Sequence, residues 1–181
     1  MRKLFCISLI GLISLFVFSC KKNQQPVSDA APVISFANFT TTDARHAVFT
    51  FNFSDADGNR NIGLQQSDTS GNFAPGTVGY NDFYMRYYYK NSAGNFVKCF
   101  IPYPGLSIHS NDDSCIIADR IPYMDINIKS QAISGQIIIN LNGYKPTGAD
   151  SFNHFRYEFW IYDRNMRKSN VVTTPEFDTP Y

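Results

Sequence analysis

Asp55, Asp57 and Asn59 stand at alternate positions around Gly58, directly after an apolar run, and could act together on a cation. Calcium takes roughly six to eight oxygen ligands, and carboxylate and amide oxygens spaced this way on a tight loop can converge on one point. The pattern departs from the helical calcium loop. Arg60 holds the sixth position, where glycine is expected, and Gln66 the twelfth, where a bidentate glutamate belongs. The remaining ligands would have to come from elsewhere, with Asp82 and Asp163 as candidates. The alternative is a plain turn, since Asp, Asn and Gly are favoured there for local hydrogen bonds and positive φ.

Other chemistry-bearing residues are dispersed. His46, His109 and His154 are isolated, no His pair has metal-ligand spacing, and no Gly-x-Ser-x-Gly elbow is present. A hydrolase assembled from distant acids and histidines is therefore the least favoured reading, and the chain reads as a non-enzyme. Tyr84, Tyr88, Trp160 and Tyr162 fall opposite the apolar rows of two strands and could form an aromatic platform for sugar rings. Such residues more often stabilise cross-strand pairs or cover a sheet.

The elements that must position these residues read as strands. Phe49, Phe51 and Phe53 recur at every second position of Ala47–Ser54, the period of a half-buried strand. Val33–Thr40 is expected to be a strand with Val33, Ser35, Ala37 and Phe39 on one face. In Asp82–Lys90, Phe83, Met85, Tyr87 and Tyr89 alternate against Tyr84, Arg86, Tyr88 and Lys90, and Phe96–Ile101 returns as a hairpin partner. Further strands are expected at Ser114–Ala118, Ile133–Leu141, Phe152–Tyr162 and Val171–Phe177, the last interrupted by Pro175 as suits an edge. Gln65–Gly79 reads as a long irregular loop. Seven or eight short strands without a helical period predict a single antiparallel β-sandwich over residues 33–181, immunoglobulin-like or fibronectin type III-like.

The chain has 181 residues, 44% hydrophobic and 17% charged, which suits one folded domain. Arg2 and Lys3 precede an uncharged apolar run, Leu4–Phe18, too short to span a bilayer and matching an export signal. Its end, Val17-Phe18-Ser19-Cys20, resembles a bacterial lipobox, which implies a signal peptide over residues 1–19 and a lipidated Cys20 as the membrane anchor. An ordinary secretory signal with an incidental cysteine is the alternative. Residues 20–32 are polar with proline and small residues and read as a flexible tether. Loss of the signal takes 16 basic residues to 14, against 15 acidic ones, so no basic surface argues for nucleic acid. With Cys6 removed and Cys20 lipidated, Cys99 and Cys115 remain, and an exported chain can join them in a disulfide or bury them as separate thiols.

Three stretches carry a family resemblance: Phe51–Asn59 with Ile62-Gly63-Leu64 after it, Ile133–Ile139, and Ile161-Tyr162-Asp163-Arg164-Asn165 with Ser169–Pro175. Together they resemble a family of Bacteroidetes envelope lipoproteins with an immunoglobulin-like or fibronectin-like domain. The resemblance implies the fold and an outer-membrane location, but no reaction. Lys21 and Lys22 stand where surface-displayed members carry acidic residues, so the periplasmic and surface sides both stay open. The function expected is a non-catalytic binding or structural module, calcium-stabilised if the Asp55 turn holds an ion. Its expected partners are the membrane and an envelope protein or glycan. The alternative is an accessory glycan-binding lipoprotein of a nutrient-uptake system.

Overall fold

A computed structural model describes residues 30–56, 62–99, 115–124, 132–145 and 153–178. The signal, Cys20, most of the tether, Asp57, Asn59 and His109 lie outside the described residues. Among the described residues there are nine strands: β1 Val33–Thr41, β2 His46–Asp55, β3 Phe83–Lys90, β4 Phe96–Lys98, β5 Ile116–Asp119, β6 Ile133–Asn142, β7 His154–Ile161, β8 Val172–Thr173 and β9 Phe177–Asp178. One antiparallel sheet has the order β1-β2-β6; the other is built on β4-β3-β7-β8, with β5 also pairing β3 and β9 also pairing β7.

The count exceeds the expected seven or eight because both edges of the second sheet are broken. β4 pairs Tyr88–Lys90 and β5 pairs Phe83–Arg86, end to end along one side of β3. β8 and β9 do the same along β7. Counting each broken edge as one run leaves seven runs, three against four, in an antiparallel two-sheet sandwich. The break between β4 and β5 is closed by a Cys99–Cys115 disulfide, with Cα atoms 5.6 Å apart. Cys99 N–H donates to the Tyr87 carbonyl (3.1 Å) and Tyr87 N–H donates to the Cys115 carbonyl (3.2 Å), so the two cysteines complete the ladder at Tyr87.

Period-two rows from the two sheets meet in the core. Phe49, Phe51 and Phe53 face inward from β2, and Phe155, Tyr157, Phe159 and Ile161 from β7. Phe51 stacks on Phe83 at 5.6 Å, and Phe49 meets Phe159 edge-on at 4.9 Å. Burying each such ring contributes about 2–3 kcal/mol. Tyr157 reaches across the β6–β7 connection and donates its buried hydroxyl to the Tyr144 carbonyl, in the manner of a tyrosine corner.

β1 departs from simple alternation. Its register against β2 shifts between Phe36 and Asn38, a bulge that restores the inward direction one residue late. Ile34 and Phe36, then Phe39, therefore pack on the core, while Val33 is 58% exposed and Ser35 faces solvent. The expected Val33–Ser35–Ala37–Phe39 face is thus corrected to Ile34, Phe36 and Phe39. The 65–79 loop carries two 3-10 turns, Gly71–Phe73 and Val78–Tyr80. At its start Gly63 has φ +88°, and a Cβ there would lie 2.4 Å from the Pro122 carbonyl oxygen, so only glycine allows Leu64 to bridge to Pro122.

Candidate functional site

Alternation in β2 continues one residue past Ser54, so Asp55 closes the strand on its core side and is fully buried. The Phe51–Phe83 stack puts this end of β2 beside the start of β3, and the register of Phe83 with Ile161 adds the end of β7. Asp55, Asp82 and Asp163 therefore gather at one end of the sandwich, all buried. Among the described residues, their oxygens do not form a group within 4.8 Å of one another.

Asp82 ties three elements together. Its N–H donates to the Asp119 carbonyl (3.3 Å), its carbonyl accepts from Tyr162 N–H (2.8 Å), and its Oδ1 accepts from Ile121 N–H (2.7 Å). Its Oδ2 has no hydrogen-bond partner among the described residues. Burial pushes the carboxyl up to about 7, against the opposing pull of the Ile121 N–H and Arg120.

Asp163 is occupied differently. Its Oδ1 accepts from Asn165 N–H (2.9 Å) and Arg167 N–H (2.8 Å), and its Oδ2 from Arg167 Nε (2.6 Å). The carboxylate thus organises the turn after β7, in which Met166 takes φ +61°.

The loops around this end are stitched by arginine. Arg164 forks onto both oxygens of Asp68 (Nη2–Oδ1 3.1 Å), and it holds that carboxyl below its ordinary value. Arg120 Nη2 donates to the carbonyls of Gln65 (3.0 Å) and Asp68 (2.9 Å). Beside them lies an open groove of about 510 Å³ lined by Leu64, Gln65, Gln66, Arg120, Pro122 and Tyr123. It could seat an extended or flat group against Tyr123 and Pro122, with Arg120 at its side. Asp68, whose carbonyl accepts from Arg120, has its carboxylate held by Arg164.

The aromatics opposite the core form a second structure on the outer face of the four-run sheet. Tyr84 and Trp160 are directly opposed across β3 and β7 and stack at 5.7 Å and 6°. Tyr162 meets Tyr84 edge-on at 5.8 Å, and the Tyr84 hydroxyl donates to the Val78 carbonyl at 2.5 Å. Arg86 and Lys168 lie 5.2 and 4.4 Å from the Trp160 ring centre. Tyr84 and Trp160 are consequently only 7% and 6% exposed. Tyr88 donates to Glu158 (2.8 Å), and Arg156 lies 5.8 Å from the centre of its ring. Burial first, then the Glu158 carboxylate, raises its hydroxyl above the ordinary value. The structure thus brings Tyr84, Trp160 and Tyr162 into one cluster and sets Tyr88 in an adjoining row, interleaved with cations.

Two groupings were missed in the sequence because they depend on strand register. One is this cation–aromatic ladder. The other is His154, Glu176 and Asp178, exposed at the far end of β7 and β9, with ligand atoms within 4.8 Å of one another. Both oxygens of Glu176 accept from Lys90 Nζ at 2.9 Å, so a local cation already neutralises part of that group. Comparison of the chain with protein-family models, curated proteins and solved structures finds no match.

Proposed function

We propose that the chain is a lipid-anchored protein of the bacterial envelope, held in the outer membrane through Cys20, whose sandwich serves as a non-catalytic binding or structural module. The observation that carries this reading is the Cys99–Cys115 disulfide built into the β3 ladder. A structural disulfide of this kind belongs in an oxidising compartment, beyond the cytosol. The lipobox-like Ser19-Cys20 then supplies the anchor, and several acyl chains make it durable at about 0.8 kcal/mol per buried methylene. A binding role places the ligand or partner protein at the loop end, where the Leu64–Tyr123 groove opens. The aromatic platform for glycans is less well supported, because Tyr84 and Trp160 are stacked and covered.

Radiolabelled palmitate supplied to cells expressing the full chain tests the anchor. The chain is expected to take up label and sediment with membranes, and Cys20→Ala to do neither. An unlabelled wild-type chain released as a soluble protein would overturn the reading.

A further inference from the structure

Two packed sheets have four edges, and three of them are visibly blunted. β1 carries the Phe36/Asn38 bulge, and the Asn170 side chain occupies both polar groups of its Ile34 backbone: Asn170 Oδ1 accepts from Ile34 N–H (2.8 Å) and Nδ2 donates to the Ile34 carbonyl (2.9 Å). The β4/β5 edge is cut into short pieces at the disulfide and carries Lys98. The β8/β9 edge consists of two-residue strands split at Pro175, with Glu176 and Asp178 on it. Bulges, short strands, charges and proline are the devices by which sheet edges avoid pairing with another chain.

β6 has none of these devices. It is a ten-residue strand, ISGQIIINLN, without charge or proline, and among the described residues it pairs only with β2. Its solvent face carries Gln136, Ile138 and Asn140, with Ile138 62% exposed. That face is already part of an uncharged row, in which Gln136 donates to Asn52 (3.0 Å) and Asn52 to Ser35 (3.3 Å).

We propose that β6 is a docking edge for a second copy of this chain, paired antiparallel about a two-fold axis at Ile138. The strand is self-complementary in that register. Ile138 faces Ile138, Gln136 faces Asn140, and Ser134 faces Asn142, while on the core side Ile137 faces Ile139 and Gly135 faces Leu141. Amide meets amide, aliphatic meets aliphatic, and no like charges oppose, as a two-fold interface requires. A slip of one residue would set core-facing positions against solvent-facing ones, which the pleat forbids. The pairing joins the two β1-β2-β6 sheets into one continuous six-stranded sheet and leaves the groove end of each copy open. It does not depend on lipidation of Cys20.

The test uses the full chain in detergent. Light scattering should give twice the chain mass, and Ile138→Lys should halve it. Asn140→Lys should do the same, and circular dichroism checks that both variants keep their strands. Under mild copper–phenanthroline oxidation Ile138→Cys should cross-link to a dimer well above the wild-type background, because directly opposed Cα atoms lie about 4.5–5.5 Å apart, within disulfide reach. Val33→Cys, equally exposed but on the blunted β1 edge, should not. A monomeric wild-type chain, equal cross-linking from Val33→Cys, or cross-linking of Ile138→Cys only to a different protein would each overturn the proposal.

Discussion

Cys99 and Cys115 sit on either side of one backbone position, Tyr87, and their disulfide spans the gap between β4 and β5. The bridge closes a sequence separation of 16 residues. In the chain-entropy account such a loop stabilises the fold by about 3 kcal/mol, by limiting the unfolded chain. The double variant Cys99→Ser/Cys115→Ser should lose about that much in urea unfolding, and reductant should lower wild type to the same level without affecting the variant. Equal stability of the variant and the oxidised wild type would refute a structural role.

Asp163 has an internal partner, and this predicts its response to calcium. Its side chain is buried, and Arg167 supplies two of its three hydrogen bonds. Removing the carboxylate takes the acceptor from the Asn165 and Arg167 N–H groups and from the half-buried Arg167 side chain, and costs about 1–3 kcal/mol. Asp163→Ala should lower stability by that order whether calcium or a chelator is present. A loss seen only with calcium would instead make the carboxylate a ligand.

Tyr157→Phe removes a single atom from the core. The Tyr144 carbonyl then loses a buried donor. The expected cost is about 2 kcal/mol, read as a lower urea midpoint with an unchanged slope. A variant as stable as wild type would mean the corner is dispensable.

The strands were legible because their side chains alternate on a half-buried surface. The rows Phe49–Phe51–Phe53, Ile137–Ile139–Leu141 and Phe155–Tyr157–Phe159–Ile161 all lie in the core as their spacing implies. The β1 bulge was not legible, because one extra residue changes the face of everything after it while leaving composition untouched. Burial of Asp55 was hidden for a related reason: an acid normally marks the end of a strand, yet here the period continues through it. The Asp163–Arg167 turn is local, but its arginine reads equally well as a solvated charge. Cover over Tyr84 and Trp160 depends on Arg86 and on Lys168 and Val78 from other segments, which only the folded chain assembles.

Asp82 gives stability a pH dependence whose sign can be worked out. Its carboxyl is raised from 3.8 to about 7 in the folded protein. Between those values the folded state keeps a proton that the unfolded chain has released. Stability from this group is therefore greatest at pH 4 and below, falls as pH rises, and levels off above 7, a total on the order of 4 kcal/mol. Asp68, held low by Arg164, contributes with the opposite sign, so wild type alone does not isolate Asp82. Asp82→Asn does: it preserves the Oδ1 acceptor for Ile121 N–H and removes the charge. Urea unfolding at pH 4.5 and pH 8 should show the variant gaining on wild type by roughly 3 kcal/mol between the two conditions. A constant difference would mean that Asp82 stays ionised throughout, and hence that a cation or water compensates its buried oxygen.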